Sequence, residues 1–169
     1  MNLVLCLAIV LVCGYIGRQL AARSAQRLAF FREYESAMVS LADSIAGMSL
    51  ELSRALETPC GDSVGEAFAE CARKLRAAPQ RRFAAIWREC LGEYSAGKTF
   101  LSKEDVRMIS DAGEALEALC RNPSRKQAEG YLVRLEKHIT ELEEDKRRKG
   151  KLYSAGGVLA GLLIALLVI

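Results

Sequence analysis

Both ends of this 169-residue chain are apolar and its middle is charged. Residues 3–16 and 152–169 hold no Lys, Arg, Asp or Glu, so every such residue lies between them or at their inner edges. A helix needs roughly 20 apolar residues to cross a hydrocarbon layer of about 30 Å, which makes each run a minimal membrane span. Cations crowd the inner flanks: Arg18, Arg23, Arg27 and Arg32 follow the first run, and Lys146, Arg147, Arg148, Lys149 and Lys151 precede the second. By the positive-inside rule the middle is expected in the cytoplasm, with both termini outward. The expected organisation is a transmembrane helix over 1–17, a cytoplasmic helical bundle over 18–151 and a second transmembrane helix over 152–169.

A cleaved signal peptide is the alternative for the first run. It calls for cations before the apolar core and a small-residue cleavage site after it. Here Met1 and Asn2 carry no side-chain cation and the arginines come afterwards, which favours an uncleaved anchor. The rival is a secreted helical protein released after Ala22 or Ala25, and an intact Met1 in the membrane fraction would exclude it.

The middle is long enough for one compact domain. Its signs are mixed: 24 Lys and Arg against 21 Asp and Glu give a net charge of +3. The cations that cluster do so beside the apolar runs, so anionic lipid is their expected partner, at about 1 kcal/mol per cation near the surface. Nucleic acid is not implied. Of six cysteines, Cys6 and Cys13 lie in the first run, and Cys60, Cys71, Cys90 and Cys120 are scattered without a CxxC pair. That spacing reads as small apolar residues in a reducing compartment and offers no zinc site. His138 is the only histidine and reads as the flank of a helix seam.

Apolar positions Phe31, Tyr34, Met38, Leu41, Ile45, Met48, Leu52 and Ala55 recur in steps of three and four. They predict one long amphipathic helix continuing from the first run and broken only by residues 58–62. Ser63 with Glu66 fits a capping box opening a helix that carries Val64, Ala67, Phe68, Cys71 and Leu75. Pro79 predicts the first turn of a third helix, with Phe83, Ile86, Trp87 and Cys90 as its stripe. Ser102, followed by Glu104 and Asp105, predicts another N-cap, leading into Val106, Ile109, Gly113, Leu116 and Cys120. Asn122 and Pro123 end that helix. Ser124 with Gln127 starts the last one, whose seam is Ala128, Tyr131, Leu135, His138 and Leu142, widened by Leu132 and Ile139. No stretch alternates with a period of two, so the expected class is all-α, a bundle of about five helices.

One string points elsewhere. Residues 92–99, GEYSAGKT, match the phosphate-loop pattern in full, which would make Lys98 and Thr99 nucleotide ligands. Such a loop needs a buried strand before it, a helix N-terminus after it and a second strand carrying an acidic residue for magnesium. The flanking sequence reads as helix on both sides, so the string is expected to be a helix connection, and neither a cofactor nor a metal is expected. Carboxylate pairs such as Glu143 with Glu144, or Asp111 with Glu114, lack the burial that separates catalytic pKa values. The acidic run Glu141, Glu143, Glu144 and Asp145 is instead a candidate patch for a basic partner. In the second apolar run, Gly157 and Gly161 form a GxxxG surface on which another helix can approach closely. A second copy of the chain and the first run, with Gly14 and Gly17, are both candidate partners for it.

Taken together, these elements resemble the stage III sporulation protein AB family. The resemblance rests on the short N-terminal span, the LADSI of the long helix, the segment VGEAFAECARKL, Trp87 in the third helix, GEALEAL at Gly113 and Glu114, and the terminal KLYSAGGVLAGLLIALLVI. It implies a non-enzymatic mother-cell membrane component of the channel-like complex facing the forespore. It also implies a cytoplasmic bundle similar to F-type platform proteins of type II secretion. The implied partners are the complex's secretion-type ATPase and its other subunits.

Overall fold

The computed structural model describes residues 2–48, 52–57, 64–122 and 125–168, and within these it leaves out the side chains of 2–14, 16–17, 47–48, 125, 127 and 149–168. The described residues form six α-helices and no strand: α1 Asn2–Met48, α2 Leu52–Ala55, α3 Gly65–Ala77, α4 Phe83–Ala96, α5 Lys103–Arg121 and α6 Arg125–Val168. They group into two compact units, one of Met1–Leu28 with Thr140–Ile169 and one of Ala29–Ile139.

The first unit consists of the opening stretch of α1 and the closing stretch of α6. No break separates the first apolar run from the amphipathic stripe in α1, as the absence of Pro predicts, and α6 likewise runs unbroken from the bundle seam into residues 152–168. Among the described residues no helix is long and apolar enough to cross a membrane. Apart from Tyr15, the two expected spans fall on positions whose side chains lie outside the described set. Tyr15 is exposed, and its hydroxyl accepts a 2.9 Å hydrogen bond from Gln19 Nε2 one turn later.

The second unit is the bundle. Its core takes Phe31, Tyr34, Met38, Leu41 and Ile45 from α1, which is the predicted stripe. Ala67, Phe68 and Cys71 come from α3, Phe83, Ile86, Trp87 and Cys90 from α4, and Ala128, Tyr131, Leu135, His138 and Ile139 from α6. Residues three and four apart share one side of a helix, so a stripe at that spacing goes inward as a set. Helix α2 packs on α3, α3 on α4, and α4 most extensively on α5.

That closest contact depends on a missing side chain. A Cβ built on Gly113 of α5 would lie 2.9 Å from Cβ, Cγ and Cδ1 of Trp87 on α4. The fully buried indole therefore packs directly against bare backbone. Its Nε1–H donates a 2.8 Å bond to the Ile109 carbonyl, one turn earlier on α5. Phe68 and Phe83 flank the same ring, with centroids at 5.2 and 5.6 Å.

The stripe of the long helix is described up to Met48 as α1 and again over Leu52–Ala55 as α2, and the expected continuity through 49–51 lies outside the described residues. Three features can be set against the sequence reading. Ser63 lies outside the described residues, and α3 opens from Val64 with no side-chain cap. Pro79 does not start a helix. It follows Ala78 in a turn closed by the Arg81 N–H on the Ala78 carbonyl at 3.0 Å, and α4 begins four residues later at Phe83. A fixed proline φ suits the second position of a β-turn as well as a helix start. Finally, Cys120 is exposed, and the inner face of α5 closes with Ala112 and Leu119 instead. Asn122 caps α5 as expected, while Pro123 and Ser124 lie outside the described residues.

Candidate functional site

Ser102 and Asp105 open α5 with reciprocal bonds. The Asp105 N–H donates to Ser102 Oγ at 3.2 Å, and the Ser102 N–H donates to Asp105 Oδ2 at 2.7 Å. The sequence placed this cap correctly and took Asp105 only as an acidic residue of the first turn. It is fully buried, and its other oxygen, Oδ1, meets His138 Nε2 of α6 at 2.8 Å. The imidazole is covered by Phe31 of α1, edge to face at 4.9 Å. A neighbouring buried polar contact joins α1 to α6: the hydroxyls of Tyr34 and Tyr131 lie 3.0 Å apart, and Tyr131 donates to the Met108 carbonyl at 3.2 Å. Burial pushes both phenols above their usual range, so they stay neutral donors at any physiological pH. Among the described residues no buried side-chain nitrogen or oxygen lacks a hydrogen-bond partner.

The phosphate-loop string takes a different shape from the connection expected. Residues 92–96 are the last turns of α4, Gly97 is its C-cap in right-handed helical conformation, and only Lys98 and Thr99 lie in the turn beyond. Ser95 is buried and donates to the Leu91 carbonyl, while the Lys98 ammonium sits 4.4 Å from the centre of the Tyr94 ring. Helical N–H groups already committed to carbonyls one turn back cannot cradle a phosphate. Among the described residues no three His, Cys, Asp or Glu side chains converge as metal ligands.

Glu141, Glu143, Glu144 and Asp145 are all exposed on α6, as are Lys146, Arg147 and Arg148 just after them. Glu143 and Glu144 each precede an arginine by four residues, the order that stabilises an exposed helix. That spacing helps a stretch polar on all sides to remain helical. Arg18, Arg23 and Arg32 are exposed and Arg27 is half-buried, whereas the side chains of Lys149, Lys151, Gly157 and Gly161 lie outside the described residues.

A second charged surface was not anticipated. Glu89 of α4 receives Lys74 Nζ of α3 at 2.8 Å and Arg81 at 2.9 Å. On the other side of α4, Glu117 of α5 accepts from the Ala84 N–H at 3.2 Å, and Arg82 and Arg121 both reach its Oε1. Helix α4 has no acidic residue in its own first turn, so Glu117 supplies from another helix the negative group that a helix N-terminus attracts. Both carboxyls are held below their ordinary range, Glu89 chiefly by the Lys74 hydrogen bond and Glu117 chiefly by the Ala84 N–H. Sequence shows the individual charges, but their convergence requires helices 33 and 15 residues apart to pack side by side.

The fold thus defines an all-α bundle protein whose first and last helices extend into apolar termini. The chain belongs to the stage III sporulation protein AB family, whose family model matches residues 2–169. No curated protein and no solved structure matches the chain.

Proposed function

We propose that this stage III sporulation protein is a non-enzymatic membrane component of the complex linking mother cell and forespore, and that its cytoplasmic bundle is an assembly platform for a secretion-type ATPase. Residues 1–17 and 152–169 would cross the mother-cell membrane with both termini outward. The basic flanks from Arg18 and from Lys146 would rest on anionic headgroups. The reading draws on a family match that spans both apolar runs as well as the bundle. What carries the docking role is the exposed acidic run Glu141, Glu143, Glu144 and Asp145 on α6, set immediately before the basic collar. Charges so placed would steer a basic partner to the lipid surface and fix its register there. An ATPase could drive such a platform only by binding one of its states more tightly than another.

The test is binding of the purified ATPase to the full chain in detergent micelles, with and without charge reversal at Glu143 and Glu144. Reversal is expected to weaken binding by about tenfold or more, in line with the loss of a few close charge pairs. Unchanged affinity would remove the acidic run from the interface, and no binding to the unaltered chain would remove the platform role.

A further inference from the structure

The cation-rich face of α4 is not used by that reading, and it has its own logic. Phe83, Ala84, Ile86, Trp87, Cys90 and Leu91 turn inward, so the opposite side of the helix is centred on Ala85. Ala85 and Ala96 are exposed and Gly92 is half-exposed, at spacings of seven and four residues that place them in one row. This row is a low floor with charged margins. On the α3 side stand Lys74, Arg81 and Glu89; on the α5 side stand Arg82, Arg88 and Arg121 with Glu114 and Glu117. With Glu93 of α4 also exposed on the α3 side, five cations against four carboxylates leave a net charge of +1 across the face.

The distribution matters more than the sum. Glu89 and Glu117 are each shared by two cations, so a positive charge remains at each after internal pairing. The arginines that share Glu117 are largely in water: Arg82 is 73% and Arg121 72% exposed, while Glu117 itself is 13% exposed. An incoming carboxylate can therefore reach the guanidinium groups without displacing Glu117 from the Ala84 N–H. Arginine forks suit that geometry, since their planar donors accept two carboxylates from different sides.

We propose that the outward face of α4, bordered by Lys74, Arg81, Arg82, Arg88 and Arg121, is a docking surface for an acidic segment of a partner protein. Carboxylates of that segment meet the arginines at the margins, and its backbone lies close over Ala85, Gly92 and Ala96. The four resident carboxylates would repel a continuous array of phosphates, which is why discrete, spaced acidic side chains fit this face better than a lipid surface or a nucleic-acid strand. The proposal holds whichever protein supplies the segment, and it stands apart from the acidic run on α6.

The test measures fluorescence anisotropy of a labelled decapeptide with Glu at every third position between Gly and Ser, on the full chain in detergent micelles at low ionic strength, with melting curves to verify folding. Replacing Arg82, Arg88 and Arg121 together by Gln is expected to weaken binding about tenfold, the sum of three exposed charge contacts. Glu89→Gln should act in the opposite direction and tighten it, since it frees Lys74 and Arg81. The paired change Lys126→Gln with Arg134→Gln, on exposed cations of α6, and Glu129→Gln on the same helix should each leave affinity within about twofold if the site is local. The proposal is overturned if the folded triple variant binds as the parent does, if Glu89→Gln weakens binding, or if the Lys126 and Arg134 changes cost as much as the triple. It is equally overturned if anionic phosphatidylglycerol vesicles, and not the peptide, respond to the triple change.

Discussion

Replacing Gly113 by Ala sets two effects of opposite sign against each other, and the structure decides between them. In a helix interior Ala is favoured over Gly by about 1 kcal/mol, through backbone entropy. At position 113 the added methyl would meet three atoms of Trp87 at 2.9 Å, closer than real side chains approach. The indole cannot swing aside cheaply, because Phe68 and Phe83 hold its other contacts and Nε1–H is bonded to the Ile109 carbonyl. Overpacking of this kind costs about 1–3 kcal/mol, and losing a buried hydrogen bond adds about 1–3 more. The expected net effect of Gly113→Ala is a destabilisation of about 1–5 kcal/mol, or a fall in Tm of roughly 4–20 °C for a domain of this size. Gly130 of α6 provides the control, since a Cβ there meets nothing within 4 Å. Gly130→Ala should raise stability by up to about 1 kcal/mol. Thermal melts by circular dichroism would show the opposed signs, and emission from Trp87, the only tryptophan in the chain, reports on the contact directly. Equal shifts for the two variants, or a Gly113→Ala protein as stable as the parent with unchanged emission, would refute the argument.

The other expectations concern the polar contacts. Asp105→Ala removes both a helix cap and the partner of a buried imidazole, so it should cost about 2–4 kcal/mol in urea melts, against about 1 kcal/mol for Ser102→Ala. Equal losses would mean that the His138 contact contributes nothing. Acid titration should expose Glu117: its folded pKa lies below the ordinary carboxylate value of 4.5, so its contribution is complete above that value and is lost as pH falls through the lowered one. The drop in Tm between pH 6 and pH 3 should accordingly be smaller in Glu117→Gln than in the parent, and an identical drop would dissociate this carboxyl from bundle stability.

Much of the helix pattern was legible in the sequence because it is written in local spacing. The stripes of α1, α4 and α6 and the cap at Ser102 each depend on residues within one or two turns, and backbone geometry turns that spacing into a buried face. Local rules failed where they admit two outcomes. A proline such as Pro79 fits a turn or a helix start, and an eight-residue string such as GEYSAGKT carries no information on whether its N–H groups are free. The candidate sites split in the same way: the acidic run on α6 was visible as a run, while the α4 face was not, since its charges are contributed by three helices.

By itself the sequence determined the all-α class, the apolar termini with their basic collars, and the side of each long helix that turns inward, because these follow from the order of residues and the pitch of a helix. Only tertiary packing decided that Trp87 would lie on Gly113, that Asp105 would meet His138, that Glu117 would cap α4, and that five cations would border one face. The helix-to-helix contacts among them, from Lys74 with Glu89 to Arg82 with Glu117, join positions 15 to 35 residues apart, and no local propensity encodes which of many compatible helix faces will meet.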